Sequence, residues 1–235
     1  MELVVRGVCL RRDDLSIEMK TSTIDHDYFL EFDRRQRRIE IHLVVAFFAG
    51  LAVGLVGMLG AGRIPGWAGQ VYDPYAYLAL TVAVGATATG FGWALLTTFL
   101  AAVSTVVATM GGGALRGDLD VTLLGGTPAG LHWTFALLVG LGLLAYATRR
   151  DDRWGDLAAG VIGAAVVTDV VDRATPGFIA AEPYFWPLPA LPVGALAAAA
   201  VLLLRRTGPA RARALALAAV IAGLFAMGLA VLPGG

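Results

Sequence analysis

Five stretches of the chain, 41–62, 74–115, 121–148, 183–204 and 214–235, contain no Asp, Glu, Lys or Arg. Uncharged apolar runs of about 18 residues or more read as membrane-spanning helices. The stretch 74–115 is 42 residues long, twice the ~20 residues of a single crossing. It therefore predicts a hairpin, with its turn at Gly90-Phe91-Gly92. A further apolar run, interrupted by Asp169 and Asp172, lies between Asp156 and Arg173. The pattern predicts seven helices, near 42–61, 74–89, 92–111, 129–148, 156–173, 188–204 and 213–232.

Charge placement gives an independent reading of the same count. With the N-terminus cytoplasmic, inside loops hold Arg34, Arg35, Arg37, Arg38, Arg149, Arg150, Arg153, Arg205, Arg206, Arg211 and Arg213, against Arg63, Arg116 and Arg173 outside. Eleven against three follows the positive-inside rule, whereas a single crossing over 74–115 would put two arginine clusters outside. The expected fold class is an all-α integral membrane protein: a seven-transmembrane-helix bundle, N-terminus cytoplasmic and C-terminus outside.

The N-terminal 40 residues are different material. They hold nine of eighteen acids and eight of eighteen bases, and no apolar run opens them, which argues against a cleaved signal peptide. Two domains follow: a cytoplasmic tail over 1–40, and a seven-helix transmembrane domain over 41–235. Within the tail, Asp25 to Ile39 is expected to form a juxtamembrane amphipathic helix. Asp25 would be its N-cap, Phe29, Phe32 and Ile39 its apolar face, and Arg34, Arg35, Arg37 and Arg38 its contact with anionic headgroups. Met19-Lys20 offers a second start, which would make residues 1–18 dispensable.

Composition sharpens the class. Hydrophobic residues make up 57% of the chain and charged residues 15%, where soluble domains carry roughly 25% charged. Cys9 is the one cysteine, so the chain by itself builds no disulfide or iron–sulfur site. Lys20 is the one lysine and lies in the tail, which excludes a retinal Schiff base within a helix. The net charge is zero without a basic stripe beyond the juxtamembrane arginines, so nucleic acid is not an expected partner. The absence of Asn and the abundance of Ala and Gly point to a GC-rich bacterial source, hence a bacterial inner membrane.

Asp169 and Asp172, in VVTDVVDRATPG, are the acids most deeply set in an apolar run. Thirteen residues separate Asp156 from Asp169, about 20 Å of helix, or some two-thirds of a ~30 Å hydrocarbon core. A carboxylate at that depth belongs against the bundle interior or a wet cavity. At i and i+3 the two could share a proton or a cation and serve acid–base chemistry. The structural alternative has Asp172 meeting Arg173 or Arg116 and Asp169 bonding hydroxyls of a neighbouring helix. His132, at the start of the fourth span, could join them with Asp73, Asp118, Asp120 and Glu182. It has no second histidine at ligand spacing, so neither a metal nor another cofactor is expected.

Small and hydroxyl residues form further stripes. Thr97, Ala101, Ser104, Thr105 and Ala108 share one helix face, and Gly50 and Gly54 another. In lipid such stripes bring helices together by close backbone approach. The stretch 175–192 carries five prolines and is expected to run irregularly along the outer interface.

The chain lacks a nucleotide-binding loop or a dense catalytic motif. The expected function is a non-catalytic component of the membrane: a small-substrate permease, or a subunit of a membrane complex. Its expected partners are the bilayer and a membrane-protein partner. The alternative is an intramembrane lipid-active enzyme using outward-facing Asp169 and Asp172.

Overall fold

The computed structural model describes residues 12–60, 62–116, 128–182 and 184–231, with the backbone alone for 12–28, 116, 128 and 129. Cys9, Asp118 and Asp120 lie outside the described residues. The described chain is all helical: α1 (Arg12–Gly60), α2 (Gly66–Tyr72), α3 (Tyr75–Thr87), α4 (Phe91–Arg116), α5 (Pro128–Ala147), α6 (Arg153–Ala174), α7 (Ala190–Leu204) and α8 (Gly208–Val231). Seven are longer helices, and α2 is a seven-residue helix between the first two of them. Five contain stretches long and apolar enough to cross a bilayer: Phe29–Gly60, Phe91–Leu115, Gly130–Ala147, Arg153–Ala174 and Gly208–Val231. That makes the chain a multi-pass membrane protein. The helices α3 and α7 are apolar but short, at 13 and 15 residues.

The chain divides into two compact units, 1–41 and 42–235. In the first, Arg34, Arg35, Arg37 and Arg38 are exposed, as are Phe29 and Phe32. Helix runs unbroken through Asp25, so this residue does not cap a separate juxtamembrane helix. No Pro or Gly lies between Asp25 and Ala49 to interrupt the hydrogen-bond ladder.

In the second unit the helix limits depart from the hydropathy pattern where capping outweighs polarity. The start of α6 is at Arg153 because Asp152 is its N-cap, its Oδ1 accepting from the Gly155 amide at 3.1 Å. Similarly α8 begins at Gly208 with Pro209 in its first turn, where a missing N–H removes no helical bond. Arg211 and Arg213 are thus helical residues rather than loop. The break between α3 and α4 falls at 88–90, sharing Gly90 with the expected turn, while Phe91 and Gly92 already belong to α4.

Close backbone approach sets the packing. A Cβ on Gly85 of α3 would lie 2.0 Å from the Gly142 carbonyl oxygen of α5, and one on Gly142 would lie 2.2 Å from Thr98 Cγ2 of α4. Likewise Gly50 leaves no room for a Cβ against Ser104 and Ala101, so the two small-residue stripes meet. Thr105 Oγ1 donates across that seam to the Gly50 carbonyl at 3.1 Å. Thr97 and Thr98 are buried and donate back to their own helix, to the carbonyls of Trp93 and Ala94 at 2.7 and 2.6 Å. These hydroxyls are satisfied inside the packing.

Tyr75, Leu78, Leu138, Leu141, Ile162, Phe185 and Val193 form the main core, drawn from α3, α5, α6, α7 and the 175–189 stretch. A second cluster of Ala159, Val201 and Ala214 joins α6, α7 and α8. Hence α6 passes through the middle of the unit, which matters because it carries the polar residues described next.

Candidate functional site: two polar clusters at the ends of α6

At the C-terminal end of α6, Asp169 Oδ2 accepts two hydrogen bonds. The Tyr75 hydroxyl donates at 2.5 Å, and Arg173 Nε donates at 3.0 Å. Asp169 and Arg173 are four apart, so one helical turn brings them together. The other side of the guanidinium, Arg173 Nη1, reaches Glu182 Oε1 at 2.5 Å. Gln70 of α2 closes the series by donating its amide to Glu182 Oε2 at 3.1 Å. A single bonded chain therefore runs from α2 through the 175–189 stretch and α6 to α3.

Local structure puts Glu182 within reach. The backbone amide of Glu182 donates to the Arg173 carbonyl at 3.0 Å, folding the proline-rich stretch back over the helix end. Three residues further on, Phe185 is fully buried, and the Arg173 guanidinium lies 6.0 Å from its ring centroid. That distance is in cation–π range, so the ring both anchors the stretch and faces the charge.

Asp169 and Asp172 do not share a partner. Asp172 Oδ1 accepts from the Ala180 amide at 3.2 Å, fixing the same returning stretch at a second point. His132 is an exposed residue of α5, and the network around Asp169 is built without it. Asp73, between α2 and α3, has an exposed residue surface, yet its carboxyl is pushed above the usual carboxylate range. Desolvation is the main cause; the Arg173 charge opposes it and the Glu182 charge adds to it. Among the described residues, no three His, Cys, Asp or Glu side chains converge as metal ligands.

The N-terminal end of α6 holds a cluster that the sequence pattern does not single out. Asp156 is 2% exposed and takes Arg205 Nη2 on Oδ1 and Arg213 Nε on Oδ2, both at 2.6 Å. Arg205 is itself buried and donates Nη1 to the carbonyls of Thr148 and Arg150 at 2.7 and 2.8 Å. Arg211 Nε donates to the carbonyls of Leu202 and Arg205 at 3.1 and 2.8 Å. Arg149 Nη1 donates to the Ala88 carbonyl. The helix ends of α3, α5 and α7 are thereby capped by arginines from neighbouring segments, as carbonyls left open at C-termini require. Asp156 is the acid that Arg205 and Arg213 share, and it is buried at the start of an apolar helix. Which arginines pair with it is a matter of packing.

Comparison with known protein families, with curated proteins and with solved structures finds no match to this chain.

Chemically, the two ends differ. The Asp169 end is acidic and tied to an irregular stretch; the Asp156 end is basic and tied to helix termini. Between them α6 is apolar and lined with small residues, among them Ala158, Ala159, Gly160, Gly163 and Ala164, all buried.

Proposed function

We propose that the chain is a seven-span bacterial inner-membrane protein with its N-terminus cytoplasmic and its C-terminus outside. In this reading it is a non-catalytic component working as a subunit of a membrane complex. The observation that carries this reading is the engagement of Asp169. The deepest candidate acid already accepts from Tyr75 and Arg173, within a bonded chain that reaches Glu182 and Gln70. A group used as an acid–base catalyst or proton carrier needs an oxygen free for its substrate, and Asp169 Oδ2, on a side chain 34% exposed, is taken up by two donors. Asp169 instead joins α3 to α6, as a structural acid does.

The sidedness is supported by the arginines. Arg150, Arg205 and Arg213 gather around the N-terminal end of α6, opposite the acidic end, which fits an inside surface. For α3 and α7 to cross, their ~20 and ~22 Å of helix need help from the flanking non-helical residues, 88–90 and 184–189. A span shorter than the hydrocarbon thickness is accommodated by local thinning at modest cost.

The test is native mass spectrometry on full-length protein extracted gently from its own membrane. A stoichiometric second polypeptide, retained equally by the wild type and Asp169→Asn, is expected. A bare chain that turns over a lipid, with turnover abolished by Asp169→Asn while the fold persists, would overturn the reading in favour of an intramembrane enzyme. A bare chain carrying a small molecule that Asp169→Asn releases would overturn it in favour of a permease.

A further inference from the structure

At the arginine-rich end of the bundle, the ends of α3, α5 and α7 surround a cavity of about 510 Å³. Its walls include Thr87, Arg149, Asp151, Leu203, Arg205 and Arg206. This volume lies within the ~300–1,000 Å³ of small-molecule sites and exceeds what a bare ion needs.

The converging C-termini bring partial negative charge, which on its own would favour a cation. Those carbonyls are already met. Arg149 donates to Ala88, Arg205 to Thr148 and Arg150, and Arg211 to Leu202. The Arg205 charge is in turn offset by Asp156. What remains at the cavity is Arg149 and Arg206 against Asp151, a net positive wall.

The donor balance points the same way. A guanidinium presents five N–H donors and no acceptor. Arg206 is exposed and makes no side-chain hydrogen bond or ion pair among the described residues. Arg205 is 4% exposed, and its Nε is buried without a hydrogen-bond partner. The hydroxyls of Thr87 and Thr148 donate to carbonyls of their own helical segments and leave the arginines as the cavity's free donors. A hollow rich in donors calls for a ligand rich in acceptors.

Two features favour a lipid over a free anion. Leu203 is 83% exposed and Leu202 40% exposed, so α7 offers an apolar flank beside the arginines along which acyl chains can lie. The Asp151 carboxylate would repel a small dianion, while it can accept from a headgroup hydroxyl. We infer that this cavity binds the phosphodiester headgroup of an anionic membrane phospholipid, with Arg149 and Arg206 on the phosphate. The inference stands apart from the role of Asp169.

The test titrates the purified full-length chain with short-chain phosphatidylglycerol and reads binding by native mass spectrometry, with phosphatidylcholine and inorganic phosphate as comparison probes. Arg206→Gln removes a cavity arginine that holds no other group. Arg153→Gln removes an equal charge from an exposed position at the same end of α6 that is outside the cavity wall. The expected result is saturable phosphatidylglycerol binding, weakened about tenfold by Arg206→Gln, the scale of one charge-assisted bond. Arg153→Gln should leave it unchanged, and phosphatidylcholine should bind more weakly. Equal losses in the two variants would reduce the effect to diffuse surface attraction and overturn the site. Displacement of the lipid by equimolar inorganic phosphate would make it a free-anion site, and an absence of saturable binding would also refute it.

Discussion

Tyr75 and Asp169 are 94 residues apart in the chain and meet through a hydroxyl–carboxylate bond of 2.5 Å. The first residue of α3 is thereby joined to the last turns of α6. Because Asp169 also accepts from Arg173, and Arg173 reaches Glu182, this contact is one end of a four-segment tie. The tie holds the 175–189 stretch against the helices. That placement also buries Phe185 in the main core.

Arg173 is the branch point, so its removal should matter most at this end. Arg173→Gln breaks both ion pairs and leaves Asp169 and Glu182 without a cation. The groups are partly exposed, with side chains 21–34% accessible, so a loss of about 1–3 kcal/mol is expected rather than the cost of a fully buried pair. Asp172→Asn keeps a side-chain carbonyl able to accept from the Ala180 amide and should be close to neutral. Thermal unfolding of both variants in one detergent checks the contrast.

The basic end makes a sharper contrast. Asp156→Ala leaves Arg205 as an uncompensated buried cation and should destabilise by about 3–5 kcal/mol. Arg213→Gln removes the other partner of the same carboxylate, but that side chain is 57% exposed, and the expected loss is about 0–1 kcal/mol. Comparable losses in the two variants, measured by unfolding, would show that Arg205 does not depend on Asp156.

Close packing of α3 on α5 predicts a strict demand for glycine at one position. Gly85→Ala places a methyl 2.0 Å from a backbone oxygen that cannot move alone. The helices must separate, at a cost of about 3 kcal/mol or more. Gly92→Ala, on α4 with nothing within 4 Å of its Cβ, should instead leave stability unchanged or raise it by up to ~1 kcal/mol. Folded yield and melting temperature of the two variants distinguish these outcomes.

The helices were legible in the sequence because a missing charge is a strong, additive signal over twenty residues. Their ends were less so. Polarity places the start of α8 at Arg213, whereas a helix continues through arginines readily once Pro209 and its neighbours begin it. The site was legible in its acids and in the expectation that Asp169 bonds a hydroxyl of another helix. It was not legible in which residue supplies that hydroxyl, nor in Arg173 pairing with Asp169 rather than Asp172. Asp169 stands out by depth alone, yet Tyr75 reads as one more interfacial aromatic until α3 and α6 are brought side by side. Glu182 lies in a proline-rich stretch whose path is set by two backbone-directed bonds, to the Arg173 carbonyl and from Ala180 to Asp172. Asp156 reads as a boundary marker, because which of the arginines at 205, 206, 211 and 213 faces it depends on the packing of α7 and α8 against α6. Periodicity within one helix carries no information about a partner fifty residues away.

The most direct test of the account is a double-mutant cycle on Tyr75→Phe and Asp169→Asn, with stability read by unfolding of the purified full-length chain. If Asp169 serves to tie α3 to α6, the two substitutions are non-additive, with a coupling of about 0.5–1.5 kcal/mol as interhelical bonds in membranes show. Strict additivity, with both single variants as stable as the wild type, would contradict the structural role of Asp169 and return it to the residues available for chemistry.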